Sequence, residues 1–259
     1  MDRTQKEILS NFGGEIDNCL GTIFANTDED DESSPLIQLS TFLDANSAEV
    51  EKFLRHHENN FTIFSMNADS LHAKHSELLI FVDALLAKGL HFSAICIQEA
   101  RINKDTNCKT LDLPQYEMIP EPFVCSTKGG LAIYLYQNFF HLNRTKELYK
   151  KSRIFEAQFI DVYGPQIQNK ITLVNIYRPP RCNNNPKALN DFVSEIQPSF
   201  IKLKNENNYT FVAEDTNINL LKIGNDSGVN GYFEFLCDND FLPQITLPTR
   251  FAKKNLFLD

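Results

Sequence analysis

At four places in this chain polar residues follow apolar runs. Asn67 and Asp69 come after Phe61-Thr62-Ile63-Phe64-Ser65-Met66, and Glu99 comes after Ile95-Cys96-Ile97-Gln98. Tyr177 and Arg178 follow the run 171–176, and Asp215 and Asn217 follow the run 209–213. Layered α/β proteins bind their ligands at such strand ends. Carboxylates and amides gathered there are hard oxygen donors, suited to Mg²⁺ that keeps several of its waters. An ion so held polarises a phosphoryl oxygen and offsets the charge that develops on a phosphodiester. Each residue alone reads more readily as a turn former or cap. Four such places, in this order, point to a site.

The elements that must position these residues are legible as apolar patterns. Residues 61–66 and 92–98 are strand-like, and further strands are expected near 130–136, 154–162, 171–177 and 209–213. Residues 75–88 carry helical spacing at Leu78, Leu79, Val82, Leu85 and Leu86 and close at Gly89. A second helix is expected over 186–204, with Pro186 in its first turn, and shorter ones over 47–58 and 230–240. Strand–helix alternation followed by clustered strands predicts layered α/β rather than an all-β fold.

Charge divides the chain. Residues 1–60 hold 13 acids against Arg3, Lys6, Lys52 and Arg55, while the remaining acids and bases, 21 of each, cancel. The net −9 therefore belongs to the N-terminal region, and net charge gives the rest no strong phosphate-attracting field. Asp28-Glu29-Asp30-Asp31-Glu32 cannot bury apolar surface, which predicts a loose segment at 26–35 within an acidic, partly disordered extension over 1–59. That extension reads as an accessory tail or as a docking surface for a partner. The second domain is expected over 60–259. The six cysteines (Cys19, Cys96, Cys108, Cys125, Cys182, Cys237) lack zinc-ligand spacing, so reduced thiols are expected, with Cys96 in the core. No apolar run approaches the ~20 residues of a membrane span, and the polar start lacks a secretory signal. An intracellular protein is expected.

The motifs together resemble the endonuclease/exonuclease/phosphatase superfamily over about residues 60–259. Asn67-Ala68-Asp69-Ser70-Leu71 is similar to its first motif, Cys96-Ile97-Gln98-Glu99-Ala100-Arg101 to its metal-glutamate motif, and Glu214-Asp215-Thr216-Asn217 to its Gly-Asp-aromatic-Asn motif. Lys128-Gly129-Gly130-Leu131-Ala132-Ile133-Tyr134 and Asn175-Ile176-Tyr177-Arg178-Pro179-Pro180 resemble segments of the apurinic-type endonuclease of non-LTR (LINE-like) retrotransposons, and Leu247-Pro248-Thr249-Arg250 continues that order. The resemblance implies a four-layer α/β/β/α sandwich of the DNase I-like type and a Mg²⁺- or Mn²⁺-dependent phosphodiesterase that nicks DNA. Glu99, with Asn67 or Asp69, would hold the metal. Asp215 would orient or deprotonate the attacking water, and Asn217 and Tyr177 would contact the scissile phosphate. Asp259 matches an aspartate that in the family orients a catalytic histidine farther along. A reverse transcriptase region and a nuclear location are further implications.

Two departures bear on activity. All six histidines precede the Asp215-Thr216-Asn217 motif, so the sequence expectation is a fold incomplete at its C-terminus that binds metal yet turns over poorly, since one stabiliser of a transition state commonly contributes ~10²–10³-fold in rate. Glu214 stands where the family has glycine, either repelling Asp215 and raising its pKa or turning to solvent. A binding module without catalysis, or a phosphatase or exonuclease of the same superfamily, remain alternatives at this level. Limited proteolysis tests the charge reading: cleavage should concentrate within 26–35, and protection there would contradict it.

Overall fold

The structure is a computed structural model and describes residues 22–25, 41–42, 47–123, 128–165, 167–180 and 186–243. The expected loose segment at 26–35, the Leu247-Pro248-Thr249-Arg250 segment, Asp259, Cys19, Cys125 and Cys182 lie outside the described residues. The elements in order are β1 (Thr22–Ala25), β2 (Thr41–Phe42), α1 (Ser47–His56), β3 (Thr62–Asn67), α2 (Leu71–Leu86), β4 (Ala94–Gln98), β5 (Tyr116–Glu121), β6 (Leu131–Tyr136), β7 (Phe140–Asn143), α3 (Thr145–Leu148), β8 (Glu156–Tyr163), β9 (Ile171–Tyr177), α4 (Pro186–Asn205), β10 (Tyr209–Asp215) and α5 (Ser227–Asp238).

The strands form two sheets, ordered β2-β1-β3-β4-β6-β5 and β10-β9-β8-β7. Each sheet holds one parallel pair, β3 with β4 and β9 with β10, each joined through a helix. Parallel neighbours end on the same side, which is why helical crossovers join them. The polar residues ending β3 and β4, and those ending β9 and β10, are therefore brought side by side.

Strand alternation sorts the side chains into three apolar layers. Ile63, Ala94, Cys96, Ile133 and Leu135 of the first sheet meet Ile160, Val162, Ile171, Leu173, Phe211 and Ala213 of the second. On the far side of the first sheet, Ile95, Ile97, Ala132 and Tyr134 pack on Leu78, Val82 and Leu85 of α2 and on Val50, Phe53 and Leu54 of α1. On the far side of the second sheet, Ala157, Phe159, Val174 and Ile176 pack on Phe192, Ile196 and Phe200 of α4 and on Val229, Tyr232 and Phe235 of α5. The fold is the four-layer α/β/β/α sandwich that the resemblance implies.

Several bounds differ from the sequence reading. Helix α2 begins at Leu71, because Ser70 Oγ caps Ala73 N at 3.4 Å, so the helix starts one turn ahead of the expected 75 and adds the buried Leu71 to its apolar face. Asp226 accepts from Gly228 N and Val229 N and starts α5 at Ser227, ahead of the expected 230. Strands β5 and β7 carry no clean apolar alternation, since both lie on sheet edges, where β5 also tolerates Pro120. Within the 1–59 stretch, β1 pairs antiparallel with β3, and α1 buries Val50, Phe53 and Leu54.

Two buried amides interrupt the apolar layer between the sheets. Gln98 Nε2 donates to Asn175 Oδ1 at 2.7 Å, and Asn175 Nδ2 donates to the Ile97 and Ala132 carbonyls at 3.1 and 3.2 Å. Asn175 is fully enclosed, at 0% exposure. Replacing it removes three hydrogen bonds from the buried layer, each worth about 0.5–1.5 kcal/mol net. Asn175→Ala should therefore lower the unfolding free energy by about 2–4 kcal/mol in urea titration; a loss well under 1 kcal/mol would show that this bond does not hold the sheets together.

Candidate active site

The site lies where the layer between the sheets opens at the carboxyl ends of the two parallel pairs. On β3, Ile63, Ser65 and Asn67 alternate toward the second sheet; on β10, Phe211, Ala213 and Asp215 alternate toward the first. Asn67 Nδ2 donates to Glu99 Oε1 at 2.7 Å and to Asp215 Oδ2 at 2.5 Å, joining residues 148 positions apart. The amide's orientation is assigned from this network. The reverse orientation would set its oxygen against two carboxylates.

Backbone geometry turns Glu99 toward that amide. Gln98 points between the sheets, so strand alternation would direct the next side chain to the helix layer. A left-handed φ of 49° at Glu99 ends the strand and redirects the carboxylate, which is 8% exposed. Asp69, Arg101 and Asn217 are also left-handed, at φ 45°, 53° and 54°. For non-glycine residues such backbones cost of order 1–3 kcal/mol each, and they gather at functional sites.

A glycine loop holds the strained turn. Ala100 N and Arg101 N donate to the Gly130 and Gly129 carbonyls at 2.9 and 2.7 Å. Gly130 N in turn donates to Glu156 Oε2, on the second sheet, at 2.6 Å. Gly130 has φ +88°, and a Cβ there would lie 2.8 Å from the Ile102 backbone nitrogen, so this position requires glycine; at Gly129 a Cβ would meet the Glu156 carboxylate, which would have to shift. Through its two carbonyls the pair positions the Glu99 loop.

The remaining expected residues fall as follows. Tyr177 is 1% exposed and sits directly opposite Asp215 in register. Asn217 Nδ2 donates to the Arg178 carbonyl at 2.9 Å, tying the loop after β10 to the loop after β9. Asp69 does not join the two carboxylates: its Oδ1 accepts from the Arg101 guanidinium and its side chain is 72% exposed. No group of three or more His, Cys, Asp or Glu suited to a metal forms among the described residues. The oxygen donors that converge are the Glu99 and Asp215 carboxylates, bridged by the Asn67 amide, whose own oxygen accepts from Asp69 N at 2.9 Å. The arrangement fits a hard divalent cation, because two carboxylates share one neutral amide and a cation would balance their charge.

Glu214 points away from this set. Its neighbours in alternation face the helix layer, and both its oxygens lie 2.8 Å from the Tyr232 hydroxyl. The residue keeps exposed surface, yet its carboxylate lies against the buried tyrosine. Burial pushes that carboxyl up to about 7; the Tyr232 hydrogen bond opposes the rise and the Asp215 charge adds to it. The solvent-facing alternative holds for part of the residue, while the carboxylate itself is engaged by Tyr232. The signal that could have shown it is Tyr232, a polar-tipped aromatic on the buried stripe of α5. Arg101, Gln98, Asn175 and Glu156 are the other contributors that strand-end reasoning passed over, the last three because they lie on buried strand faces.

No family model matches the chain, and no curated protein matches it. Among solved structures it is similar to an AP endonuclease from Leishmania major, at 13% identity and a TM-score of 0.49, over 68% of this chain and 66% of that one. It is similar to the human Nocturnin catalytic domain at 16% identity and 0.43, over 66% and 69%. It is similar to the Xenopus laevis APE2 catalytic domain at 13% and 0.46, over 67% and 67%. The chain spans about two thirds of the length of each.

The raised carboxyl has a pH signature. A carboxyl raised on folding favours the folded state below its unfolded value of 4.5, and that contribution is lost as pH rises through about 7. Glu214→Gln keeps an acceptor for Tyr232 and removes the titration. Its melting temperature relative to the native protein should rise as pH is raised across this window, and a difference independent of pH would refute the placement of the carboxylate.

Proposed function

We propose that this chain is a divalent-metal-dependent phosphodiester hydrolase acting on DNA, with Mg²⁺ or Mn²⁺ held by the Glu99 and Asp215 carboxylates that the Asn67 amide brings together. The observation that carries this reading is the single Asn67 amide bonded to both carboxylates at adjoining strand ends. When bound, the ion supplies Lewis-acid polarisation of a phosphoryl oxygen. Asn67 spaces the two carboxylates and keeps both aimed at one point. Asp215 is the group that orients a water and takes its proton. Asn217 braces the Tyr177–Arg178 turn through the Arg178 carbonyl and turns its own loop toward the phosphate, which Tyr177 also approaches from the opposite strand. The Tyr177-Arg178-Pro179-Pro180 and Lys128-to-Tyr134 segments favour the retrotransposon branch, with genomic DNA in the nucleus as substrate and a reverse transcriptase region as the functional partner.

A second reading, a binding module that holds metal without turnover, draws on two contacts. The Asn217 amide is engaged by a backbone carbonyl, and Asp69 is engaged by Arg101. Mn²⁺ titration and nicking of supercoiled plasmid separate the two. The native protein should bind Mn²⁺, Glu99→Gln should weaken that binding, and Asp215→Asn should slow metal-dependent nicking about 10²–10⁴-fold, the range of a lost general base. Mn²⁺ binding without nicking would select the second reading, and absence of both would reject the site.

A further inference from the structure

Beside the site, one loop presents cations on a buried frame. Between α3 and β8, Tyr149, Ser152 and Phe155 are buried at 9%, 4% and 0% exposure, while Lys150, Lys151 and Arg153 alternate with them and are exposed. The buried members are bonded to one another. Tyr149 Oη donates to the Phe155 carbonyl at 2.7 Å and accepts from Ser152 N at 3.0 Å, and Ile154 N donates to Ser152 Oγ at 2.9 Å. Ser199 Oγ of α4 ties the loop's start through the Leu148 carbonyl. The loop is thus held from beneath, with its cations outward.

Several of the other cations are neutralised in place, whereas those of the loop are not. Lys74, Lys88, Arg144, Lys170, Lys202 and Lys204 are each in an ion pair. Lys146, Lys150, Lys151 and Arg153 form no hydrogen bond or ion pair among the described residues. In a chain of net charge −9, four such cations within eight residues are a local concentration of positive charge. Lys151 and Lys146 are close enough to act on Glu121 at the end of β5, which pairs with Leu131 beside the Gly129–Gly130 pair.

The loop also has a set distance from the site. Asp215, Tyr177 and Glu156 lie side by side across β10, β9 and β8. Two strand spacings of about 4.8 Å put the start of β8 ~10 Å from Asp215, and the cationic loop leads directly into it. A DNA strand carries a charge every ~3.4 Å along the helix axis, so this span corresponds to about three phosphates.

We propose that Lys150, Lys151 and Arg153, with Lys146 at the edge, form a phosphate-tracking strip for a polynucleotide strand, engaging phosphates about three or more positions from the scissile one. The strip rests on the proposed function for its orientation, and it makes the substrate a polymer rather than a mononucleotide. Its residues contact backbone charge, so it adds affinity without base preference.

The test uses the full chain with fluorescence anisotropy on a short labelled DNA duplex in EDTA, where no turnover occurs. Lys150→Gln/Lys151→Gln/Arg153→Gln leaves Tyr149, Ser152 and Phe155 in place, and an unchanged melting temperature confirms folding. The slope of log affinity against log salt should decrease by about 2 to 3, as expected for three lost phosphate contacts. Lys150→Arg/Lys151→Arg/Arg153→Lys should restore it. Lys52→Gln/Arg55→Gln, on the exposed side of α1, should leave the slope unchanged. With Mn²⁺ present, hydrolysis of bis(p-nitrophenyl) phosphate should be equal in the native and triple-Gln proteins. An unchanged slope in the triple-Gln variant, or an equal decrease in the α1 variant, would overturn the strip. Absence of bis(p-nitrophenyl) phosphate hydrolysis in the native protein would instead count against the proposed function, while the EDTA binding result would still decide the strip.

Discussion

The candidate site depends on two sheets holding one spacing, and the Gln98–Asn175 hydrogen bond is what sets it. Apolar contact between Ile63, Cys96, Leu173 and Phe211 drives the sheets together but does not select a register, because dispersion and hydrophobic burial are non-directional. Amides do select one. Asn175 must meet Gln98 and two carbonyls of the first sheet at once, and only one offset of the sheets allows it. Gln98 adjoins Glu99, and Asn175 lies two residues before Tyr177, so the same bond that fixes the offset places the site's two halves opposite each other. Burying these amides would be costly without partners; fully paired, they confer specificity on an otherwise greasy interface.

A second brace runs around the edge. Glu156 on the second sheet holds Gly130, the glycine carbonyls hold Ala100 and Arg101, and those residues flank the strained Glu99 turn. Left-handed backbone at Glu99 is costly by itself and persists where the surroundings over-determine it. The clamp and the brace supply that surplus from opposite sides. Sheet 2's outer edge has its own rigid element, in which Arg144 and Lys170 share Asp161 and Glu206, holding the second sheet to the end of α4.

Much of this was legible in the sequence. Asn67, Glu99, Tyr177 and Asp215 end apolar runs, and apolar period alone located the strands that carry them. The parallel pairing of those strands follows from the helices between them. What the period could not show is direction. Asp69 and Asn67 are two residues apart and look interchangeable as ligands, yet a left-handed turn at Asp69 sends its carboxylate to Arg101. Glu214 and Asp215 are adjacent, and strand alternation parts them onto opposite faces, one toward Tyr232 and one toward Asn67. Edge strands β5 and β7 escaped notice because an edge needs no continuous apolar face. The inter-sheet amides were visible as letters, but their partners are 77 residues apart and follow only from the packing.

The site's longest link, from Asn67 to Asp215, spans 148 residues. Contacts so distant in sequence form late, since the chain between them must be ordered first. During synthesis, β3, β4 and Glu99 leave the ribosome well before β10 exists. A nascent chain therefore carries half a site, with one carboxylate and no partner across the gap. The pair is complete only when the second sheet has closed on the first, so the candidate site cannot assemble until translation has passed β10.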